Sequence, residues 1–266
     1  MSDYAQPYTV DNLDFYRTHH GQQLYYRWEG TVSWRPEPNA PLEPIFAIAG
    51  MNATKAFIRP DQEYGEAGHR INRELGLYCD LKTGEVLTRW QPFPGWESVP
   101  VVPIANRIVQ GRVKPRKIEI PAGEPYLKTV LEIPLAYPHP LAGNPIYRDH
   151  CPGDTFEGTE YFTTYTRRPE AKNVPPPTWG RDCPWLPWMK LGYQHPARLR
   201  FDTTIERVER FEDLNPKLIQ VIRDRVPIYQ TTPDQTDEPN VTSTTYLKQH
   251  FAAYQRGATF PIPEYE

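Results

Sequence analysis

The chain has 266 residues, 24% of which are charged, and its formal net charge at neutral pH is -3. This balance excludes the global basic field of proteins that bind nucleic acid or anionic membranes. A mean hydropathy of -0.69 and the lack of a long apolar run exclude a transmembrane helix. A chain of this length can bury a substantial core.

Cysteine usage and the first residues predict the cellular compartment. Cys79, Cys151 and Cys183 are widely spaced, odd in number and not arranged as a Cys-x-x-Cys pair, which is typical of free thiols in a reducing environment. The N-terminal residues have neither the basic region nor the apolar stretch of a secretory signal. We therefore expect a cytoplasmic protein.

The 31 prolines and 13% aromatic residues favour short strands joined by rigid turns over a helical bundle. Residues 1–10 are expected to form a loose leader, and residues 10–18 a short helix with Asp11 as its N-cap. Residues 23–34 are predicted to form the first strand. Its alternation places Leu24, Tyr26 and Trp28 on one face and Tyr25, Arg27 and Glu29 on the other.

A series of further strands is predicted in the middle of the chain. Residues 44–51 are expected to form the second strand, and residues 70–91 a hairpin around Lys82-Thr83-Gly84, with Gly84 at the positive-φ position. The later strand candidates are residues 99–113, 126–137, 158–168 and 197–208. Consecutive strands with short connections favour a lipocalin-like antiparallel meander that closes, or nearly closes, into a β-barrel.

Residues 179–193 carry three of the seven tryptophans. Pro184 and Pro187 fix φ and remove amide donors, which argues against a regular helix or a central strand here. The segment is expected to be a stiff aromatic plug that closes one side of the core, or else the wall of an apolar pocket.

The C-terminal part of the chain changes to a helical pattern. Residues 211–226 are predicted to form a helix capped by Asp213, and residues 240–255 a second helix that starts at Thr242 or Ser243. We expect a mainly β protein in which two C-terminal α-helices pack on the antiparallel β-barrel. Residues 1–266 are predicted to form a single domain, with residues 211–266 as its helical segment.

Five short motifs support a family resemblance. They are Tyr78-x-Asp80-x-x-Thr83-Gly84-Glu85-Val86-Leu87-x-x-Trp90, Tyr137-Pro138-x-Pro140-Leu141, Glu160-x-Phe162, Trp185-Leu186-Pro187-Trp188-Met189-x-x-Gly192 and Pro239-Asn240-x-Thr242-Ser243. Together they resemble the DUF1838 family, a domain family without an assigned function. Where the family has a Trp-x-Asn-Pro turn, this chain has Trp90-Gln91-Pro92. Where the family has a tryptophan after Thr-Ser, this chain has Thr244. The resemblance implies a β-barrel-like domain and transfers no catalytic residue.

Motifs of the common cofactor-dependent and nucleophilic enzymes do not occur in the sequence. None of the serines lies in a Gly-x-Ser-x-Gly elbow, and glycine-rich phosphate loops are missing. Asp149-His150-Cys151 is the one dense cluster of metal-ligand residue types. A polar loop is favoured there over a metal site or a Cys151 nucleophile beside His150. We therefore expect neither a cofactor nor a metal.

Polar groups among aromatic side chains remain as candidates. The substrate-binding candidates are Tyr26, Trp28, Trp90, Tyr161, Tyr165, Trp185, Trp188 and Met189. The candidates for polar contacts or acid–base roles are Arg27, Asp80, Asn106 and His139. Only His139 has an unperturbed pKa near neutrality. The favoured alternatives are a turn residue for Asp80 and a filled barrel core for the tyrosines.

The leading hypothesis is a cofactor-independent enzyme whose partner is a small apolar metabolite and not a nucleic acid or a membrane. An aromatic pocket with a few hydrogen-bond donors can orient such a molecule and stabilise developing charge. Proximity alone can accelerate cyclisation, including a pericyclic Diels–Alder-type closure, as well as isomerisation or elimination in secondary metabolism. The alternatives are a carrier of a hydrophobic small molecule and a structural or interaction domain. The oligomeric state stays open.

Overall fold

The structure is a computed structural model that describes residues 4–259. Residues 1–3 of the predicted leader and residues 260–266 of the predicted helical segment lie outside the described residues. The strands are β1 (Tyr8–Asp11), β2 (Gln23–Arg35), β3 (Glu43–Asp61), β4 (Gly65–Cys79), β5 (Arg89–Trp90), β6 (Val99–Pro100), β7 (Ile104–Val113), β8 (Lys117–Ile120), β9 (Tyr126–Pro138), β10 (Thr155–Arg167), β11 (Thr178–Pro184) and β12 (Arg198–Val208).

Helices make up a smaller part of the described chain. The α-helices are α1 (Asp14–Thr18), α2 (Pro216–Arg225), α3 (Ser243–Gln249) and α4 (Phe251–Gln255). Short 3-10 helices cover Pro145–His150, Pro187–Met189, Phe211–Asp213 and Pro227–Gln230. Among the described residues, no helix combines the length and the apolarity needed to cross a membrane.

Eight strands form one antiparallel sheet in the order β7-β4-β3-β2-β12-β11-β10-β9. The sheet curls into a half-barrel, so the predicted mainly β fold with an antiparallel barrel-like meander is confirmed. Strands of this sheet that follow one another in the chain are paired, with one exception. Its first and last strands in chain order, β2 and β12, also pair with each other, as they would in a closed barrel. In the described part of the chain the one missing pairing is that between β7 and β9, which are the two edges of the sheet.

The inner face of the half-barrel contains a cross-strand row of Trp28, Gly50 and Gly76 on β2, β3 and β4. The indole of Trp28 covers both glycines, since a Cβ atom would lie 2.1 Å from it at Gly50 and 2.4 Å from it at Gly76. Only glycine leaves room for the tryptophan at these two positions. The row therefore fixes the Trp28 side chain against the sheet.

The outer face is covered by residues 211–230. Leu218 and Ile222 of α2 are fully buried, and α2 contacts β3 and β4. The Tyr25 hydroxyl donates to the Gln230 carbonyl at 3.0 Å, which ties the end of this segment to β2. The apolar stripe of α2 thus packs on the sheet, as its helical spacing predicts.

Several predicted boundaries differ from the structure because tertiary pairing extends or interrupts local patterns. The end of the predicted loose leader is strand β1, which pairs with β8, so that the first helix begins only at Asp14. The helix predicted from residue 211 begins at Pro216 with Asn215 as its cap, because Asp213 lies in a 3-10 turn. The second predicted helix divides into α3 and α4 at His250.

The predicted hairpin of residues 70–91 is confirmed only beside its turn. Gly84 has a φ of 67°, and the Asp80 amide donates to the Glu85 carbonyl at 2.8 Å and the Leu87 amide to the Tyr78 carbonyl at 2.9 Å. The rest of the predicted hairpin is wrong, because β4 pairs with β3 over its whole length, around a turn in which Asp61 accepts the amide of Tyr64 at 3.1 Å. The expectation that the tryptophan segment avoids a regular helix or a central strand is confirmed for residues 185–193, which contain only a 3-10 helix and turns, and is wrong for residues 179–184. β11 is an internal strand, and Pro184 is tolerated at its last residue.

Candidate functional site

A cavity of about 380 Å³ lies where the two edges of the half-barrel fail to meet. Its walls include residues 104–106 of β7, Tyr137 at the end of β9, Phe156 of β10, residues 186–188 and residues 242–245. This volume falls within the range of roughly 300–1,000 Å³ typical of small-molecule sites. The missing strand pairing therefore provides space that a closed eight-stranded barrel would fill with side chains.

The segment before α3 covers the free edge of β7 and forms one wall of the cavity. Three β7 amides are satisfied in this way: Ala105 N–H donates to Ser243 Oγ at 2.9 Å, Arg107 N–H to the Val241 carbonyl at 3.1 Å, and Ile108 N–H to Asn240 Oδ1 at 3.2 Å. An irregularity in the β4–β7 pairing lies at the same place. Because exposed edges invite unwanted pairing, this clamp both protects β7 and fixes the wall.

Two aromatic residues of the cavity lining, Tyr78 and Trp188, carry polar atoms without a partner. The side chains are 1% and 2% exposed, and their ring centroids lie 5.3 Å apart. In the part of the chain that the structure describes, neither the Tyr78 hydroxyl nor the Trp188 indole N–H has an acceptor or donor in hydrogen-bonding geometry. Burial raises the pKa of Tyr78, and the Trp188 indole N–H opposes this shift because it lies close to the Tyr78 hydroxyl, although outside hydrogen-bonding geometry. Most buried polar groups are satisfied, so this pair requires an explanation.

A charged cluster lies on the inner face beside the cavity. Arg181 of β11, which also lines the cavity, donates from Nε to Glu160 Oε1 of β10 at 2.9 Å. The Arg181 side chain is 29% exposed and that of Glu160 18%, so the pair lies in the concavity and not on an open surface. Burial opposes the charge of Arg181, but Glu160 and Glu74 outweigh it and raise the pKa of Arg181.

Glu74 of β4 is the second carboxyl of this cluster. It lies between Asn52 and Asn106 in one cross-strand row, with Asn52 Nδ2 at 3.3 Å and Asn106 Nδ2 at 3.4 Å from its carboxyl oxygens. These bonds are long for N–H···O contacts and stabilise the carboxylate only weakly. Burial raises the pKa of Glu74, although Arg181 and the two amides oppose this shift. A carboxyl group whose pKa is moved towards neutrality can accept and return a proton.

His139 lies at the other end of the cavity lining and is buried. Its Nδ1 accepts the Leu141 amide at 3.2 Å and lies 3.5 Å from Cys151 Sγ. Burial lowers the pKa of His139 to about 4 and raises that of Cys151, so both groups are neutral at physiological pH. The imidazole beside Cys151 is thus that of His139 and not that of the sequence neighbour His150, and the thiol donates to the Gly153 carbonyl at 3.1 Å. A neutral thiol beside a neutral imidazole lacks the activation of a cysteine nucleophile.

The structure places three of the predicted site residues in the cavity wall, namely Asn106, His139 and Trp188. Asp80 lies in the turn after β4, where its Oδ1 accepts the amides of Lys82 at 2.9 Å and Thr83 at 2.8 Å. These amides lower the pKa of Asp80. Arg27 lies outside the cavity lining and pairs with Glu206 of β12, with its Nε at 2.9 Å.

The other aromatic candidates surround the cavity region without lining it. Trp90 packs against Trp188 with ring centroids 5.8 Å apart, and Trp28 packs against Trp179 at 5.5 Å. Tyr161 and Tyr165 alternate with Glu160 and so lie on the outer face. Of the remaining candidates, Tyr26 is half-buried, and Trp185 and Met189 are buried. The Trp185 indole donates to the His195 carbonyl at 3.1 Å, and the Met189 sulfur lies 3.4 Å from the Leu186 amide.

Sequence reasoning missed Glu74 and Arg181. A signal for Glu74 existed, because it shares one strand face with Gly76 and Tyr78, and a carboxyl group on a buried face is unusual. Arg181 could have been identified as the ion-pair partner of Glu160, but only if the register of β10 and β11 had been known.

The chain matches the family described as "Protein of unknown function (DUF1838)" over residues 21–251, and it therefore belongs to that family. No curated protein and no solved structure matches it.

Proposed function

We propose that this member of the DUF1838 family is a cofactor-independent enzyme of secondary metabolism. Its substrate is a small, largely apolar metabolite that binds in the cavity between β7 and β9, and its reaction is a cyclisation or isomerisation by proton transfer. The observation that carries this proposal is the position of Glu74, a carboxyl group with a raised pKa beside a cavity of ligand size. Perturbed carboxyl groups of this kind cluster at functional sites.

The proposed chemistry needs only groups of the chain itself. The ionised Glu74 carboxylate takes a proton from a carbon next to a carbonyl group, and the electron pair of the broken C–H bond moves to form an enolate. Protonated Glu74, whose proton exchanges with solvent, then protonates another carbon of the enolate system. Alternatively, the enolate carbon attacks a carbonyl carbon of the same molecule to close a ring; the π electrons of that C=O bond move to its oxygen, and this oxygen takes the proton from Glu74. Elimination uses the same first step, followed by loss of a leaving group from the neighbouring carbon. Arg181 would stabilise the negative charge in either case.

The test compares Glu74→Gln with the unaltered protein in a metabolite extract of the source organism made up in D2O. Untargeted mass spectrometry should find a compound that is converted to an isomer of equal composition. An isomerisation places one solvent deuteron on carbon, whereas a ring closure places it on an oxygen, from which it exchanges. Glu74→Gln should lose this conversion, because the amide cannot accept the proton. Glu132→Gln is the matched control, since Glu132 is an exposed residue of β9.

Two results would separate the forms of the hypothesis. Conversion that persists in Glu74→Gln and incorporates no deuterium would favour the pericyclic closure, which moves no proton. No difference between intact and heat-denatured protein in any compound would remove the enzyme hypothesis.

A carrier of a hydrophobic small molecule is the second candidate. It is favoured by one observation: Asn106, and not Glu74, belongs to the cavity lining, so a ligand can fill the cavity without contact with the carboxyl group. Native mass spectrometry of freshly purified protein distinguishes the two. A carrier should retain one compound that stays chemically unchanged after release and addition back.

A further inference from the structure

We infer that the cavity contains a subsite for a neutral carbonyl oxygen, formed by the hydroxyl of Tyr78 and the indole N–H of Trp188. This inference rests on the proposed function, because it specifies the substrate of the same cavity as an apolar aldehyde, ketone or related neutral carbonyl compound. In this subsite the carbonyl oxygen of the ligand is the acceptor for both buried donors.

Two equally buried aromatic donors near the cavity have acceptors. Tyr254 donates to the Trp188 carbonyl at 3.0 Å, and Trp185 donates to the His195 carbonyl at 3.1 Å. Several described side chains have a buried polar atom without a hydrogen-bond partner, and among them Tyr78 and Trp188 are the two whose residues line the cavity. A bound ligand can supply the missing acceptor at this position.

The chemistry of the two donors favours a neutral oxygen acceptor. A phenol hydroxyl and an indole N–H are neutral, and the indole can only donate. Two such donors fit one oxygen atom with two lone pairs. Because hydrogen bonds strengthen as an acceptor gains charge, the same pair also stabilises the oxygen of an enolate.

The net charge of the cavity lining disfavours an anionic ligand. Among the described residues, Arg181 is the one cation in the lining, and Glu160 already neutralises it. Burial raises the pKa of Glu74, which shows that this region disfavours a further negative charge. A ligand carboxylate would add that charge, whereas a carbonyl group would not.

A ligand reaches the two donors only if their rings move. Both donor atoms are shielded from water in the ligand-free protein. Binding must therefore shift the rings of Tyr78 and Trp188 slightly against each other. This movement changes the environment of the Trp188 indole, and tryptophan fluorescence should report it.

The experiment uses three naphthalene probes of nearly equal shape. 2-Acetonaphthone carries a carbonyl oxygen, 2-isopropenylnaphthalene has a CH2 group in its place, and 2-naphthoate carries a carboxylate. Kd values are measured by isothermal titration calorimetry and by tryptophan fluorescence. We expect 2-acetonaphthone to bind the unaltered protein about tenfold more tightly than either other probe, since two net hydrogen bonds of ordinary strength give about this ratio.

The same titrations are repeated with Tyr78→Phe and Trp188→Phe. Each variant removes one donor, so each should reduce the preference for 2-acetonaphthone several-fold, with little effect on 2-isopropenylnaphthalene. Tyr254→Phe is the matched control and should keep the full preference. Circular dichroism establishes that the variants are folded, and the comparison of probes on the unaltered protein does not depend on any variant.

Each remaining outcome overturns a defined part of the inference. Equal affinity for 2-acetonaphthone and 2-isopropenylnaphthalene would overturn the oxygen subsite but leave the apolar cavity of the proposed function. Tighter binding of 2-naphthoate would overturn the assignment to a neutral carbonyl. A preference that survives in both donor variants would place the oxygen elsewhere. Failure of all three probes to bind would overturn the cavity itself, and the proposed function with it.

Discussion

Tyr78→Phe should make the ligand-free protein more stable, which is unusual for a substitution in a core. The variant removes the hydroxyl oxygen but keeps the ring, which packs against Phe46 and Trp188 with centroid distances of 5.3 Å in both cases. No hydrogen bond to a described residue is lost. The change therefore removes only the cost of burying an unsatisfied donor.

The magnitude follows from that cost. A buried polar group without a partner destabilises a fold by about 1–3 kcal/mol, so the free energy of unfolding should rise by an amount in this range. Tyr254→Phe gives the opposite sign. Its hydroxyl donates to the Trp188 carbonyl at 3.0 Å, and its removal should cost roughly 0.5–1.5 kcal/mol and leave that carbonyl unpaired.

Urea denaturation of the two variants, followed by tryptophan fluorescence and circular dichroism, measures both quantities without any ligand. The slopes of the transitions should stay unchanged, because both variants bury nearly the same surface. If Tyr78→Phe lost as much stability as Tyr254→Phe, the Tyr78 hydroxyl would be satisfied in solution. The explanation of the pair as a ligand subsite would then fail.

Three further predictions concern the inner face and the cavity wall. Because burial raises the pKa of Glu74, its stabilising contribution is complete below the ordinary carboxyl pKa and is lost as pH rises through the raised value. The stability of the unaltered protein relative to Glu74→Gln should therefore fall with pH in urea titrations, whereas parallel pH profiles would contradict the shift. Gly50→Ala places a Cβ atom 2.1 Å from the Trp28 ring and should cost about 1–3 kcal/mol in thermal denaturation. This cost should shrink in a Trp28→Leu background, and additive losses would refute the contact. Thr244→Trp should fill the cavity from the start of α3 and abolish 2-acetonaphthone binding in calorimetry, whereas exposed Thr164→Trp should bind normally.

Some strands could be predicted closely because their signals are local. The bounds of β9 and β12 lie within one residue of the predicted segments, since each alternates in polarity and is bounded by proline or glycine-containing turns. β3 was predicted at less than half its length. Its residues are buried on both faces over long stretches, so no alternation marks where it continues.

The site was harder to predict than the fold for a related reason. Asn106, His139 and Trp188 could be selected because polar and aromatic residues are candidates by residue type alone. Glu74 and Arg181 belong to strands β4 and β11, which are separated by three strands in the sheet. Only the curvature of the sheet brings their charges within interaction distance, and no local pattern encodes curvature.

The unpaired edges of β7 and β9 have a consequence for how this architecture can diversify. In a closed barrel the internal diameter follows from the number of strands and their stagger, so a larger ligand requires a different sheet. In this half-barrel no ladder of hydrogen bonds crosses the gap, and its width depends on the segments wedged into it, residues 186–188 and 242–245. Exchange of these two short segments alone would change the size and lining of the slot. Because Ser243 also holds the edge of β7 and Trp188 belongs to the hydrophobic core, any such exchange must preserve these contacts, and ligand choice is coupled to scaffold stability.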